Sequence, residues 1–495
     1  MVLLLFSLPF SAKEHMQRQP DRMEWYTKPD NPNGACMILI SGKNKADSDL
    51  IEAWGKDFSS AGIQCVGFAC GAGNKALKDA ETAISLVRNQ AVELGLDPER
   101  IGVAGVSGGA RIAMLLAAGS KQSCHINWAV VKDPARLGSR HNSKASPVCP
   151  VFLDCSGNNI SERNGVVSYY TQLRRSGIPA EMHFNPRKTP LTYSSERILE
   201  FLIQMGFLGT LKPEEAVLDS FDSGSGYSKR IKERLWPEGR IPDMYGNQAE
   251  PYMEWFFPEV RKSGAVQILY SGGAYNGCNP DSFEVVPVRL LLNEMGVTVV
   301  VLRYRTPRPA YPMEKHISAW QDLQRAVRLV RSHAEEYGLD AGLIGIMGSS
   351  AGGHLTLMGV TSSMRKAYDP VDETDSLGCN VRWGIAIYPA YVLSDGIGGL
   401  NTNGGNDDSA VLVPEFGFDC QTVPMLFIHG DSDGYSAMGS VKAWEKLNSM
   451  GLESELHTLA TRGHCFQQTA SPGTGSYNWV DRVWDFVLPY VYGLN

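Results

Sequence analysis

The feature that most constrains the fold is a long internal repeat. Residues 86–109 align without gaps on residues 329–352, and 13 of these 24 positions are identical. In both copies the segment ends in the pattern Gly-x-Ser-x-Gly, around Ser107 and around Ser350. This pattern is typical of a sharp turn between a strand and a helix that exposes a serine hydroxyl. The chain is therefore expected to contain the same strand-turn-helix unit twice.

The repeat unit is a whole domain rather than a short module. A second match, of residues 177–183 with residues 451–457, lies well downstream of the first in both copies. Short apolar runs alternate with helix-length segments through both halves, as in parallel sheets whose two faces are covered by helices. The predicted fold class is therefore α/β, with two tandem domains, each a mostly parallel sheet covered by helices on both faces.

Length and composition indicate where the two domains meet. A chain of 495 residues is too long for one ordinary core. Residues 209–230 contain a Ser-Gly-Ser-Gly stretch and have the composition of a flexible linker. They separate a predicted first domain, residues 25–208, from a second, residues 231–495, and we expect the two domains to pack on each other.

Residues 1–24 precede the first predicted domain as a leader or a disordered start. Residues 2–12 are apolar and resemble the core and cleavage region of a secretory leader, although no basic residue precedes them. Export to a periplasm or to the extracellular space is the expectation, and a cytoplasmic location is the alternative. No apolar run has the length of a membrane-spanning helix, so no integral membrane segment is predicted.

Charge and cysteine spacing argue against two further classes of protein. The formal net charge is -7, and the basic residues are scattered, so no nucleic-acid partner is predicted. The ten cysteines form no Cys-x-x-Cys pair, which argues against a zinc cluster or a redox motif.

Only the second Gly-x-Ser-x-Gly pattern is followed by an acid and a histidine at usable positions. A serine nucleophile needs a histidine to take its proton and an acid to orient that histidine. Ser350 is the predicted nucleophile, and His464, in a loop after the last predicted strand, is the predicted base. The acid comes from His-Gly-Asp-Ser-Asp, where Asp431 and Asp433 are both candidates and Asp431 is also suited to forming the turn.

Glycines after an early strand of the second half indicate where an oxyanion would be held. Residues 271–275 read Ser-Gly-Gly-Ala-Tyr, and their glycines allow the backbone to approach a substrate closely. The amides of Gly272, Gly273 and Ala351 are the predicted oxyanion donors. An ordinary glycine turn is the structural alternative.

Two features of the second half are candidates for substrate contact. Tyr275 could stack on a sugar face, although a buried aromatic ring is the default for such a residue. A polar stretch offers donors and acceptors that suit hydroxyl-rich ligands, with a solvated loop as the alternative. The candidates in this stretch are Asn403, Asn406, Asp407 and Asp408.

The first copy lacks the partners that its serine would need. The internal alignment places Asn158 opposite Asp433 and Pro190 opposite His464. Proline cannot accept a proton, so Ser107 is predicted not to act as a nucleophile. The first domain is therefore predicted to be a degenerate copy of the second.

The motifs of the second half resemble the carbohydrate-esterase branch of the α/β-hydrolase superfamily, the acetyl xylan and feruloyl esterase-like proteins. The resemblance covers residues 235–487. The motifs that carry it are Leu235-Trp236-Pro237, Arg303-Tyr304-Arg305, Leu323-Gln324-Arg325-Ala326, the run from Gly348 to His354, the turn from His429 to Asp433, and Gly463-His464.

The resemblance implies two tandem α/β-hydrolase-like domains and selects Asp433 as the acid. It also implies hydrolysis of acetyl or similar acyl esters on oligo- or polysaccharide fragments through an acyl-enzyme, with no metal and no organic cofactor. A peptidase of the prolyl-oligopeptidase type shares the same triad and is one alternative. A glycan-binding protein without catalytic activity is the other.

Overall fold

The computed structural model describes residues 23–25, 29–41, 45–69, 74–119, 122–135, 148–156, 160–186, 191–209, 227–310, 312–394 and 410–493. The chain divides into two compact units. The first unit contains residues 1–180 and 187–209, and the second contains residues 181–186 and 210–495.

The first unit has a sheet in the order β1-β3-β2-β4-β5-β6, in which β1 is antiparallel and the other strands are parallel. The elements are β1 (Met23–Trp25), β2 (Cys36–Ser41), α1 (Lys45–Ser60), β3 (Gln64–Ala69), α2 (Asn74–Asn89), β4 (Ile101–Val106), α3 (Gly108–Ala117), β5 (Ala129–Lys132), β6 (Val151–Cys155), α4 (Ile160–Arg175) and α5 (Leu191–Gln204). Most strands are followed by a helix, which is the pattern that a parallel sheet requires.

The second unit has a sheet in the order β7-β17-β16-β13-β12-β10-β11-β9-β8. Its six central strands, β17 to β11, are parallel. β7 pairs antiparallel with β17, β9 pairs antiparallel with β11, and β8 pairs antiparallel with β9. The elements are β7 (Ala180–Phe184), β8 (Tyr227–Arg234), β9 (Tyr252–Pro258), β10 (Val266–Tyr270), α6 (Val286–Glu294), β11 (Thr298–Arg303), α7 (Ile317–Ser332), β12 (Ile344–Ser349), α8 (Ala351–Thr361), β13 (Trp383–Ile387), the ribbon β14 (Leu393–Ser394) and β15 (Val411–Leu412), β16 (Met425–Gly430), α9 (Met438–Ser449), β17 (Glu455–Leu459) and α10 (Trp479–Tyr492).

Helices cover both faces of this second sheet. Met347 of β12 lies in one buried apolar cluster with Val288 of α6 and Phe486 of α10. The preceding residue, Ile346, points to the opposite face because side chains alternate along a strand. There its Cδ1 atom lies close to Gly359 of α8. The α/β class and the mostly parallel sheet, both predicted from the sequence, are confirmed.

The two units repeat one packing contact between a glycine and a tryptophan. A Cβ atom on Gly102 would lie 2.0 Å from the ring of Trp128, and one on Gly345 would lie 2.1 Å from the ring of Trp383. Each glycine lies on the strand that leads to the Gly-x-Ser-x-Gly turn, and each tryptophan is on or next to the following strand. Both rings are fully buried. The absence of a side chain at this position is therefore a packing requirement in both copies.

The Leu-Trp-Pro and Arg-Tyr-Arg motifs of the second unit meet in a buried polar network. Asp322 of α7 accepts hydrogen bonds from Trp236 Nε1 at 2.8 Å and from the backbone N–H of Arg305 at 2.7 Å. The guanidinium of Arg305 lies against the same carboxylate at 3.0 Å, and neither side chain is exposed. A buried ion pair is stable only when its remaining polar atoms are also bonded, as they are here. These motifs therefore support the scaffold around the site.

The strands and compact units of the structure begin and end at other residues than the predicted linker and domains. Residues 227–230, which the composition placed in the linker, form the start of β8. Residues 181–186 belong to the second unit, where β7 pairs antiparallel with β17. The limits of the two predicted domains stay a prediction. The predicted leader or disordered start, residues 1–24, lies outside the described residues except for Met23 and Glu24, which are part of β1. Within the described residues no helix is long and apolar enough to cross a membrane.

The glycine-tryptophan contact predicts a strong effect of adding one methyl group. Replacing Gly345 by Ala would push a Cβ atom into the ring of Trp383, and overpacking of this kind costs about 1–3 kcal/mol. Gly277→Ala is the matched control, since no atom lies within 4 Å of its added Cβ position. Thermal unfolding should show a clearly lower Tm for Gly345→Ala and little change for the control. Equal Tm values for the two variants would contradict the packing argument.

Candidate active site

Ser350 lies in a strained turn between β12 and α8. Its φ is 55° and its ψ is -119°, a backbone conformation that costs a non-glycine residue free energy. A Cβ on Gly348 would lie 2.5 Å from the backbone of Gly352, and a Cβ on Gly352 would lie 2.8 Å from the carbonyl oxygen of Ser271. The two glycines therefore let the helix start directly against the strand and against the neighbouring loop.

His464 and Asp433 meet Ser350 in a chain of hydrogen bonds. Nε2 of His464 lies 2.8 Å from Oγ of Ser350, and Nδ1 lies 2.8 Å from Oδ2 of Asp433. An ionised carboxylate only accepts hydrogen bonds, so Nδ1 carries the proton and Nε2 accepts from the serine hydroxyl. The three residues come from loops that follow β12, β16 and β17, which are parallel and end at the same edge of the sheet.

Asp433 is held in its ionised form. Burial alone would raise the pKa of this carboxyl, but hydrogen bonds from His429 and His464 outweigh burial and keep the pKa well below its usual range. Oδ1 accepts the backbone N–H of Tyr435 at 2.8 Å. Asp431, the other candidate from the sequence, donates its backbone N–H to Leu459 in the turn. Of the two aspartates, the structure thus places Asp433 on the histidine.

The loop after β10 brings its glycines against the candidate nucleophile. A Cβ on Gly272 would lie 2.7 Å from Cβ of Ser350, so only glycine allows this approach. The N–H of Gly272 donates to Oε2 of the buried Glu284 at 2.8 Å, and Oε1 of Glu284 accepts the hydroxyl of Tyr388 at 2.9 Å. Gly272 was predicted to donate its amide to the oxyanion, but in the structure this amide donates to Glu284 and so holds the loop in place. Sequence reasoning missed Glu284, which no motif marked.

The backbone at Gly273 and Ala351 leaves both amides as candidates for oxyanion donors. Gly273 has φ 119°, which a side chain would strain, and Ala351 is the first residue of α8. Within the described parts of the chain, neither amide donates a hydrogen bond. Orphan N–H groups at a helix N-terminus and in a glycine loop are suited to stabilising negative charge.

The substrate contacts expected from the sequence are not seen at Tyr275. This side chain is only 1% exposed, and its hydroxyl lies 2.8 Å from Nδ1 of His354 on α8. Its backbone φ of 61° lies in the left-handed region. Because the ring is buried, it offers no face for stacking on a sugar, and this prediction is corrected. Asn403, Asn406, Asp407 and Asp408 lie outside the described residues.

His354 belongs to a cluster that the sequence did not reveal. Its Nε2 lies 3.3 Å from Oε1 of Glu415, and its ring centroid lies 5.3 Å from that of His316. Burial lowers the pKa of His354 to about 4, so its imidazole is neutral at physiological pH. The three residues are far apart in sequence and share no recognisable spacing.

Ser107 has the same turn geometry as Ser350 but a different partner. Its φ is 52° and its ψ is -109°, between β4 and α3. Its hydroxyl donates to Oδ1 of Asp47 at 3.0 Å. Asn158 and Pro190, which the internal alignment placed opposite the acid and the base, lie outside the described residues. A hydroxyl bonded to a carboxylate lacks the imidazole that would take its proton during attack.

Both halves of the chain match families of known proteins. Residues 253–385 match the family BD-FAE, and residues 74–184 match a family described as alpha/beta hydrolase fold. The first range contains Ser350 and the second contains Ser107. These matches confirm the resemblance to α/β hydrolases, and to carbohydrate-esterase-like members among them, that the motifs indicated.

Individual relatives are similar over limited lengths. The chain is 31% identical over 141 residues to "Probable carboxylic ester hydrolase LipM" of Mycobacterium tuberculosis, covering 28% of this chain and 31% of that protein. It is 27% identical over 150 residues to "Endo-1,4-beta-xylanase B" of Butyrivibrio fibrisolvens, covering 30% of this chain and 22% of that one. The chain therefore spans a third or less of the length of these curated relatives.

Among solved structures, an acetyl ester-xyloside bifunctional hydrolase from Caldicellulosiruptor lactoaceticus is similar with a TM-score of 0.42 and 23% identity. The alignment covers 52% of this chain and 95% of that chain.

The role of Glu284 can be tested by removing its carboxylate. Glu284→Ala leaves the N–H of Gly272 and the hydroxyl of Tyr388 buried without their acceptor, at a cost of about 1–3 kcal/mol for each group. Urea unfolding should show this loss, a smaller loss for Glu284→Gln, and no loss for the exposed control Glu259→Ala. If Glu284→Ala unfolds at the same urea concentration as the wild type, the carboxylate does not hold the loop.

The lowered pKa of Asp433 predicts how stability changes with pH. A carboxyl whose folded-state pKa is depressed stabilises the fold above its unfolded pKa of about 3.9, and this contribution is lost as the pH falls through the folded value. Asp433→Asn lacks this contribution. The Tm difference between wild type and variant should be largest near about pH 7 and should narrow below about pH 4. If the Tm difference between wild type and Asp433→Asn is the same at neutral and at acidic pH, the pKa of Asp433 is not lowered in the folded protein.

Proposed function

We propose that this protein is a serine esterase that hydrolyses acyl, and in the first place acetyl, esters on carbohydrate fragments. The observation that carries the proposal is the hydrogen-bond chain from Ser350 through His464 to Asp433, with both contacts at 2.8 Å. This arrangement has the distances and the order that nucleophilic catalysis by serine needs.

In the proposed reaction, Oγ of Ser350 attacks the carbonyl carbon of the ester while Nε2 of His464 takes the hydroxyl proton. The ionised Asp433 stabilises the imidazolium that forms and keeps its orientation. The amides of Gly273 and Ala351 bind the oxyanion of the tetrahedral intermediate. The intermediate collapses, the C–O bond to the sugar breaks, and His464 returns its proton to the departing hydroxyl oxygen.

The second half of the cycle uses the same residues. Water gives a proton to Nε2 of His464 and attacks the acyl carbon of the acyl-enzyme. Collapse of the second tetrahedral intermediate releases the carboxylic acid and restores the hydroxyl of Ser350. Every proton is carried by His464, so this mechanism needs no other acid or base.

The carbohydrate part of the proposal is supported by similarity. The family match over residues 253–385 and the motif resemblance over residues 235–487 both lead to carbohydrate-esterase-like proteins. A relative named as a carboxylic ester hydrolase supports the ester bond as the target. An acylated oligo- or polysaccharide is therefore the proposed substrate.

We also infer that the chain contains two tandem α/β-hydrolase-like domains, of which the first has lost its catalytic role. Support comes from the family matches in both halves, from the repeated glycine-tryptophan contact and from the matching turns at Ser107 and Ser350. The hydroxyl of Ser107 donates to a carboxylate oxygen of Asp47 rather than to an imidazole. Among its described residues, the first copy thus keeps the turn without an imidazole bonded to the serine hydroxyl.

The proposal predicts opposite outcomes for two equivalent substitutions. With p-nitrophenyl acetate and with an acetylated xylo-oligosaccharide, Ser350→Ala should lower turnover on the order of 10⁶-fold, since loss of a triad serine has this effect. Ser107→Ala, at the matching turn of the first copy, should keep the turnover of the wild type. An inactive Ser107→Ala with an active Ser350→Ala would reverse the assignment. Activity on the nitrophenyl ester alone would reject the carbohydrate substrate.

A further inference from the structure

We propose that His316, His354 and Glu415 form a metal site that takes zinc or a divalent ion of similar preference. This inference does not depend on the proposed esterase activity. Each residue offers one ligand atom, and the three atoms all lie within 4.8 Å of one another. The family resemblance implied no metal, and no sequence motif marked these three residues as a group.

The distances are close to those of a tetrahedral zinc site. With Zn–N and Zn–O bonds of about 2.0–2.1 Å, the ligand atoms of a tetrahedral site lie about 3.4 Å apart. Nε2 of His354 and Oε1 of Glu415 are already 3.3 Å apart. The third ligand atom, from His316, lies within 4.8 Å of the other two, so it is about 1.4 Å or less beyond the same spacing.

The chemistry of the ligands also favours zinc. Two neutral imidazoles and one carboxylate are a ligand set that zinc sites use, with water in the fourth position. Harder ions such as magnesium and calcium prefer oxygen ligands, so two imidazoles select against them.

His354 is oriented as metal-binding histidines usually are. Its Nδ1 lies 2.8 Å from the hydroxyl of Tyr275, while its Nε2 points to Glu415. A hydrogen bond on one ring nitrogen fixes the orientation and tautomer of the ring and prepares the other nitrogen for the metal. Tyr275 thereby acts as a positioning residue for the site.

His316 supplies an independent observation. Its side chain is almost completely buried, and Nε2 has no hydrogen-bond partner in the described part of the protein. Nε2 lies 3.1 Å from Oε2 of Glu314, a half-exposed carboxylate, in an ion-pair contact that does not meet the geometry of a hydrogen bond. A buried imidazole nitrogen whose close contact is a poorly aligned, half-exposed carboxylate can exchange that contact for a metal ion.

The position of the cluster suggests that the ion stabilises the site around Ser350. His316 immediately precedes α7, His354 lies on α8 one turn after Ser350, and Glu415 follows β15. Tyr275, which bonds to His354, belongs to the glycine loop that approaches Ser350. An ion held by these three segments would tie the helix and the loop together, so its role is structural.

The test is zinc binding by the full-length protein after removal of metals with a chelator. Wild type should take up one zinc per chain in competition with a chelator dye, and its Tm should rise by a few degrees. Cobalt in place of zinc should give the visible absorption of a tetrahedral site. His316→Gln and Glu415→Gln should each weaken binding tenfold or more, on the order of what even outer-shell changes cost.

Two control variants separate this site from adventitious binding. His333→Gln changes a partly exposed histidine that bonds to Glu233 and should bind zinc as the wild type does. Tyr275→Phe removes only the positioning hydrogen bond and should weaken binding about tenfold. The proposal is overturned if folded wild type takes up no zinc, or if His316→Gln and Glu415→Gln bind zinc as tightly as wild type. If one of these two variants fails to fold, zinc binding by the other decides the case.

Discussion

The close approach of α8 to the loop after β10 is the constraint on which the rest of the site depends. A side chain at Gly272, Gly348 or Gly352 would collide with a neighbouring backbone or with Cβ of Ser350. The absence of all three side chains leaves room for the positive-φ turn of Ser350 at the start of the helix. The same contact places the loop that contains Gly273 next to the turn that contains Ser350 and Ala351. The strained turn and the proposed oxyanion donors therefore depend on the same glycines.

Hydrogen bonds between buried polar groups hold the loop after β10, α8 and Asp433 in position. Glu284 fixes the N–H of Gly272, and the hydroxyl of Tyr275 bonds to His354 on α8. On the opposite side of the serine, two histidines keep Asp433 ionised although it is buried. Each of these groups would be costly to bury alone, and each is bonded to a part of the loop, the helix or the triad. Positioning and stability are thus provided by the same contacts.

In the first unit the packing contacts of the turn are kept, but the hydrogen-bond partner of the serine hydroxyl is different. It keeps the turn at Ser107 and the contact of Gly102 with Trp128, both of which are needed for packing. At Ser107 the hydroxyl faces Asp47, and in the second unit the hydroxyl of Ser350 faces His464. Packing requirements in one core preserve the glycines of such a turn even when the partner residues change. This explains how a nucleophile-like pattern persists in a copy that we propose to be inactive.

The sequence was most informative where a local pattern has a local cause. The Gly-x-Ser-x-Gly turn, the apolar strands and the order of a serine, an acid and a histidine can be predicted from the chain, with Asp431 and Asp433 both open as the acid until the family resemblance selects Asp433. The sequence was least informative about buried contacts between segments that lie far apart along the chain. Glu284 is one ordinary acid among many in the sequence, and the burial of Tyr275 depends on how its loop packs against α8. The cluster around His354 arises in the same way, from segments that only the fold brings together.

The most direct test of the central claim is to label the folded, full-length protein with a fluorophosphonate and to map the adduct by mass spectrometry. An imidazole-activated serine reacts with this probe, and an unactivated hydroxyl does not. The account predicts one adduct per chain, on the peptide that contains Ser350. An adduct on the peptide that contains Ser107, or no adduct on folded protein, would contradict it.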